Sequence, residues 1–307
     1  MGSMREQENA GCRTTGVPSE FDPGRRVFRL SWLPGELTHL TYTGQRWEHS
    51  LTALLPAWTP GRGAAPVRAG RVVTVTVGAR GVDVCRPLRE WDPELAGSAA
   101  PSTPPGVAVA PVRDRPAHLY VSPDGSRAAL SWRYAHDAWA AVLSTNQPGS
   151  ARVLRQIAEG LVGDDRPLTV PFLRVPPPAD CRLERVAVER RDGRWHRVWG
   201  GYLASGSPAP YGDLTIGVRR DWSGGPGNTT ADGRPAWSAG GLGTYRVGRV
   251  PGAAPRTVAE VGVLTPHGLA ALGGDRAALG GDRAALALAA RVRLVTDPDD
   301  EAGWRPF

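Results

Sequence analysis

The sequence predicts an α+β protein made of two tandem repeats, each a curved, mainly antiparallel sheet with a late C-terminal helix. Three observations carry this expectation. Strand-like runs dominate: Phe28, Leu30 and Trp32 alternate with polar or charged neighbours, and Val72-Val73-Thr74-Val75-Thr76-Val77 is wholly β-branched. Glycine (39) and proline (29) are abundant, which favours many turns between short strands. Finally, several matches recur in the same order along the chain. Phe28-Arg29-Leu30-Ser31-Trp32-Leu33-Pro34 and Phe172-Leu173-Arg174-Val175-Pro176-Pro177-Pro178 each place an apolar run before a proline step. Asp114-Arg115-Pro116-Ala117 returns as Asp232-Gly233-Arg234-Pro235-Ala236, and Pro171-Phe172 returns as Pro306-Phe307. The reading is a disordered leader or linker over 1–26, a first β-rich module over 27–172 and a second over 173–307. At 307 residues the length suits two domains.

The elements follow in order. Val27 to Trp32 is a half-buried strand, Pro34-Gly35 turns into a strand ending near Tyr42, and Trp47 to Leu55 is a third. Residues 97–106 read as a loop. Ser122-Pro123-Asp124-Gly125-Ser126 is a tight turn between a strand at His118–Val121 and a returning one at Ala128–Tyr134. Ala138 to Ser144 is another strand. Ser150 caps a helix whose Val153, Leu154, Ile157, Ala158 and Leu161 share one face. In the second module, Asp192-Gly193 is a two-residue hairpin signal between Leu183–Val188 and Trp195–Leu203. Further strands fall at Leu214–Arg219, Gly243–Arg249 and Thr257–Leu264. The heptad Ala270 to Arg276 recurs letter for letter at Ala277 to Arg283. Paired glycines oppose helix, so one copy reads as a loop insertion, with helix resuming near Asp282.

Every one of the 37 basic residues is arginine. Either arginine or lysine would supply a cation, so the exclusion of lysine points to a GC-rich coding bias. The net charge is +7, but the arginines are scattered. Their densest group (Arg182, Arg185, Arg190, Arg191, Arg194, Arg197) is interspersed with Glu184, Glu189 and Asp192. That pattern is the polar face of a hairpin, and no nucleic-acid partner is predicted. Cys12, Cys85 and Cys181 form no CxxC pair; a Cys85–Cys181 bond is left open. No run of 18 apolar residues occurs.

Signatures of catalysis fail in turn. GxSxG, HExxH, a phosphate-binding loop, a dinucleotide-binding GxGxxG and a calcium-binding loop are all missing from the sequence. The six histidines lie far apart, His136-Asp137 reads as a turn, and Asp297 to Glu301 reads as a solvated acidic turn. No catalytic residue, metal or cofactor is therefore expected. Tryptophan is the unusual resource, with 11 Trp against 4 Phe. Trp195 and Trp199 are placed on one strand face with Arg197 between them, and Trp132 stands likewise with Tyr134. Such ladders fill a core or stack on a ligand. Trp132, Trp139, Trp195 and Trp199 are the candidate ligand-binding residues.

Ala129-Leu130-Ser131-Trp132-Arg133-Tyr134, Trp139-Ala140-Ala141-Val142 and Gln156-Ile157-Ala158-Glu159-Gly160 resemble an actinobacterial group of hypothetical membrane-anchored proteins with a duplicated extracytoplasmic region. More distantly, the arrangement resembles the lipoprotein-carrier-like sensor domains of envelope-stress sigma-factor regulators. The resemblance implies a membrane helix ahead of the paired region, and this chain carries no such helix. It also implies an extracytoplasmic, membrane-anchored location, with a cytoplasmic one as the alternative. The function expected is non-enzymatic binding or sensing, of a lipid or lipopeptide ligand or of an envelope or sigma-factor regulatory protein. Two other readings stay open: a cell-envelope hydrolase with a dispersed site, and a structural module that binds a protein through sheet edges.

Overall fold

A computed structural model describes residues 17–55, 70–86, 106–147, 150–173, 181–209, 212–238, 242–251, 253–272 and 280–307. Residues 1–16 of the leader, loop residues 97–105, Pro176 to Pro178 and the heptad region over 273–279 lie outside them. The protein is mostly β and dominated by one large antiparallel sheet.

In the first half the strands are β1 (Phe28–Leu30), β2 (His39–Gln45), β3 (Glu48–Leu55), β4 (Arg71–Gly78), β5 (Val107–Val112), β6 (Arg115–Val121), β7 (Arg127–Ala135) and β8 (Ala138–Thr145). Helix α1 (Ser150–Gly160) follows, then β9 (Leu161–Gly163), β10 (Thr169–Val170) and β11 (Phe172–Leu173). Next come β12 (Cys181–Arg191), β13 (Arg194–Ala204), β14 (Leu214–Arg219), β15 (Thr229–Ala231), β16 (Arg234–Trp237), β17 (Gly243–Val247) and β18 (Val258–Val263). Helices α2 (Pro266–Ala271) and α3 (Gly280–Ala290), then β19 (Arg293–Leu294) and β20 (Arg305–Pro306), complete the described elements.

Fourteen strands form the main sheet in the order β15-β16-β17-β18-β14-β13-β12-β2-β3-β4-β8-β7-β6-β5. From its centre outward, the first half runs β2-β3-β4-β8-β7-β6-β5 and the second runs β12-β13-β14-β18-β17-β16-β15. Both sequences of seven are thus arranged alike, with the fourth strand of each at the outer edge. Two-residue turns precede Arg115-Pro116-Ala117 and Arg234-Pro235-Ala236 alike. Arg113 and Asp114 (φ 48° and 62°) mirror Asp232 and Gly233 (φ 53° and 68°). Two successive left-handed residues are the hairpin turn that matches strand twist. The halves also interlock outside the sheet, because β10 pairs with β20 and β11 with β19.

The halves meet where β2 and β12 pair from Gln45 opposite Arg185 to His39 opposite Arg191. The amphipathic face of α1 buries Val153, Leu154, Ile157 and Ala158 beside Leu130, Trp132 and Val142 of the first half's core. In the second half α3 does the same with Ala285, Leu288 and Ala289 against Ile216, Tyr245 and Val261. Tyr245 is fully buried, and its hydroxyl donates to Asp282 near the start of α3 at 2.7 Å. Val84, Cys85, Ala129, Ala141 and Leu143 cover the other face of the first half. Cys85 and Cys181 are not bonded to each other, so the bridge left open by the sequence is not formed. Cys85 is buried and Cys181 partly buried, in separate packing groups, where they serve as small apolar fillers.

One buried polar pair anchors the centre. The Tyr42 hydroxyl accepts from the Val27 amide (3.2 Å) and lies 3.0 Å from Nδ1 of His49, while His49 Nε2 is buried without a hydrogen-bond partner. Burial pushes the tyrosine up to about 12 and the histidine down to about 4. A base depressed below its ordinary value of 6.5 leaves stability intact above that value. Stability is then lost as the pH falls through 4. The full loss from His49 is on the order of 3 kcal/mol, at 1.36 kcal/mol per pH unit. His196 is lowered in the same direction, mainly by burial. Urea titrations of His49→Phe between pH 7 and pH 4 should therefore show a shallower decline than wild type, and an equal decline would refute the assignment.

Candidate functional site

The four tryptophans do not converge. Trp132 belongs to the first half's core against α1, whereas Trp139, on the next strand, packs on the opposite face with Ala129, Ala141 and Leu143. Trp195 is part of the second half's core. Trp199 lies outside that core, half-buried, under the guanidinium of Arg185 at 5.0 Å. The expected single-face ladder of Trp195, Arg197 and Trp199 fails for a local reason. Arg190 pairs with Trp195 but Glu189 pairs with Arg197, so His196 is an extra residue on β13. A one-residue bulge flips the alternation, sending Trp195 and Trp199 to opposite faces.

Arginine organises the surface more than tryptophan does. On the face of the second half away from α3, Glu260 is buried between Arg246 (Nε at 2.8 Å) and Arg197 (Nε at 3.0 Å). Arg246 stacks 4.1 Å over Trp222, which meets Trp237 edge-on at 6.2 Å. The hairpin arginines are paired much as their spacing suggested: Arg182 with Glu184 at 2.6 Å and Arg191 with Glu189 at 3.2 Å. Removing Glu260 would take away the buried carboxylate that both half-buried arginines share and leave them facing each other. Glu260→Ala should lower stability by about 3 kcal/mol in a denaturant titration. A change under about 0.5 kcal/mol would show the cluster to be dispensable.

Other titratable groups are committed to structure. His136 and Asp137 form the β7–β8 turn, with Asp137 at φ 53°. Asp297 accepts from the amides of Asp299 and Asp300, which shapes the acidic turn. Buried Asp213 accepts from the Ala204 amide (2.9 Å), the Ser207 hydroxyl (2.8 Å) and the Thr265 hydroxyl, tying the β13–β14 connection to the turn before α2. Among the described residues no cluster of His, Cys, Asp and Glu is placed to hold a metal ion.

A concavity that combines apolar and cationic side chains lies where no sequence motif pointed. A cleft of about 490 Å³ separates the edge strand β15 from α3. Thr229, Thr230, Ala231 and Asp232 form one wall, Leu286, Ala287 and Ala290 the other, and Arg283, Arg291 and Arg293 outnumber the single carboxylate. Arg234 stands beside it. Its guanidinium donates to the Ala290 carbonyl at 2.6 Å and lies 3.6 Å from Asp232, while Nε and Nη1 are buried without hydrogen-bond partners. Burial, and then the charge of Arg293, lower its affinity for a proton. The cleft therefore combines apolar walls with an excess of cations.

The corresponding place in the first half is closed. Matching buried Leu154, Ile157 and Ala158 of α1 to Ala285, Leu288 and Ala289 of α3 sets Arg155 opposite Leu286. Matching the two hairpin turns sets Ala110 and Pro111 opposite Thr229 and Thr230. Arg155 donates to the carbonyls of Ala110 (2.5 Å) and Pro111 (3.1 Å), bridging helix to edge strand. Leu286 has no polar group with which to make that bridge. Only tertiary placement reveals this difference, because Arg155 and Leu286 look like unrelated residues in the sequence.

Compared with known proteins, the chain matches no family model, no curated protein and no solved structure.

Proposed function

We propose that the protein is a non-enzymatic binding or sensing region built from two tandem copies of one sheet-and-helix unit, residues 27–172 and 173–307. The like strand order of the two halves, the twin hairpins at Arg115 and Arg234 and the helix after each seventh strand support the duplication. In this reading the copies have diverged in role. The first is sealed and structural, and the second carries the binding site in the β15–α3 cleft. One observation carries the assignment: where Arg155 bridges helix to edge strand, Leu286 leaves a cleft with apolar walls and arginines.

The ligand class that fits is anionic and partly apolar. A charged group would meet Arg283, Arg291 and Arg293, and an apolar body would lie on Leu286, Ala287 and Ala290. This keeps the amphipathic ligand expected from the sequence and moves it away from Trp132, Trp139, Trp195 and Trp199. An extracytoplasmic location with a membrane anchor, and a link to an envelope or sigma-factor regulator, follow from the resemblance described above. Among the described residues no helix is long and apolar enough to cross a membrane.

The amphipathic anion 8-anilinonaphthalene-1-sulfonate tests the cleft. Its fluorescence should rise saturably with the folded protein, and Arg283→Glu/Arg291→Glu should weaken binding by about tenfold or more, one charge-assisted contact being worth roughly 1.5–3 kcal/mol. Both arginines are exposed, so the double variant should fold normally. Equal binding by the variant would remove the cleft from consideration.

A further inference from the structure

We propose that the occupant of the β15–α3 cleft is an extended, acidic segment of a partner protein that adds a strand to the edge at β15. The proposal rests on the binding role of the cleft given above and specifies what binds there.

The backbone geometry is the first argument. Ala231 and Arg234 flank the two-residue turn, and Thr230 faces Pro235 across the hairpin. Pro235 has no N–H, so Thr230 and Pro235 form a non-hydrogen-bonded pair. The N–H and C=O of Thr230 consequently point away from β16, toward the open edge of the sheet. β15 ends the fourteen-strand order, and Thr229 and Thr230 are exposed. A donor and an acceptor are thus presented side by side, as an added strand requires.

The opposite edge shows what a closed version looks like. In β5 the counterpart of Thr230 is Pro111, which has no donor to offer. A register shift between Val109 and Val112 bends that strand, and Arg155 occupies the outward carbonyls of Ala110 and Pro111. Proline, a bulge and a covering cation are the devices by which natural sheets prevent edge pairing. Among the described residues none of the three stands at β15.

Charge complementarity selects the partner. Side chains of an added strand alternate, so alternate residues would face α3 and its flanks. There they meet Arg283, Arg291 and Arg293, beside Arg234 with two buried nitrogens that lack acceptors; the one carboxylate of the lining, Asp232, lies 3.6 Å from Arg234 and leaves the cations in excess. Carboxylates satisfy such groups. Apolar side chains at the same level would rest on Leu286, Ala287 and Ala290. The partner motif is therefore a short β-prone stretch that combines Asp or Glu with valine-like residues.

The test uses the full chain and a fluorescein-labelled hexapeptide alternating valine and glutamate, followed by anisotropy. Saturable binding is expected, weakened about tenfold or more by Arg283→Glu/Arg291→Glu and by Thr230→Pro, which copies the closed edge. Methylating the peptide's central amide nitrogens should abolish binding, whereas a lipid-type occupant needs no amide donors. Equal binding by the methylated peptide, or by an alternating valine-lysine peptide, overturns strand addition. So does unchanged binding by Thr230→Pro. Selective capture of phosphatidylglycerol vesicles by the same arginines, without peptide binding, would assign the cleft to a membrane surface. If the naphthalene sulfonate binds at the arginines and the peptide does not, strand addition fails while the cleft stands. If neither probe binds, the cleft itself is excluded.

Discussion

The pairing of β2 with β12 is the interaction on which the rest of the molecule depends. Through it two seven-strand arrays become one sheet, and the two cores meet beneath it. Val186 of β12 belongs to the first half's core and Val188, two residues on, to the second's. Tyr42, opposite Val188, ties β2 back to the chain entering β1 through the Val27 amide. Phe307 packs on both cores, its ring edge-on to Phe172 at 5.9 Å and close enough to Gly200 that a methyl group there would collide with it. A seam held by backbone pairing, shared apolar packing and one buried hydroxyl leaves little freedom for the halves to move separately.

A long sheet has two ends, and this one treats them differently. At β5 the chain uses proline, a register shift and Arg155. At β15 the strand is only three residues long, and the neighbouring helix stands off behind a cleft. Short edge strands are themselves a protection against unwanted pairing. An edge both short and flanked by arginines favours a partner with matching charge over an indiscriminate one.

Much of the architecture was legible in the sequence. The β-branched run at Val72–Val77, the Asp192-Gly193 turn and the apolar face of Val153, Leu154, Ile157 and Ala158 each became the element their pattern implied. Local rules sufficed there because period and turn chemistry are local properties. The tryptophan ladder was misread because a bulge at His196 is invisible to a period-two count. The cleft was not legible at all. It depends on Arg155 and Leu286 standing at matching places on two helices, on which side of a hairpin pair Pro235 falls, and on arginines brought together from residues 234, 283, 291 and 293. Each is a fact of register between distant segments.

The central pairing also sets a timetable for biosynthesis. β2 ends at residue 45 and leaves the ribosome well before its partner β12, which ends at residue 191. At roughly 5–20 residues per second, the inner edge of the first half waits about seven to thirty seconds before its complement has been made. During that interval His39-Leu40-Thr41-Tyr42-Thr43 is an unprotected strand, with neither proline nor bulge to discourage other nascent chains. Slower translation between residues 55 and 181 would lengthen that exposure and with it the opportunity for mispairing.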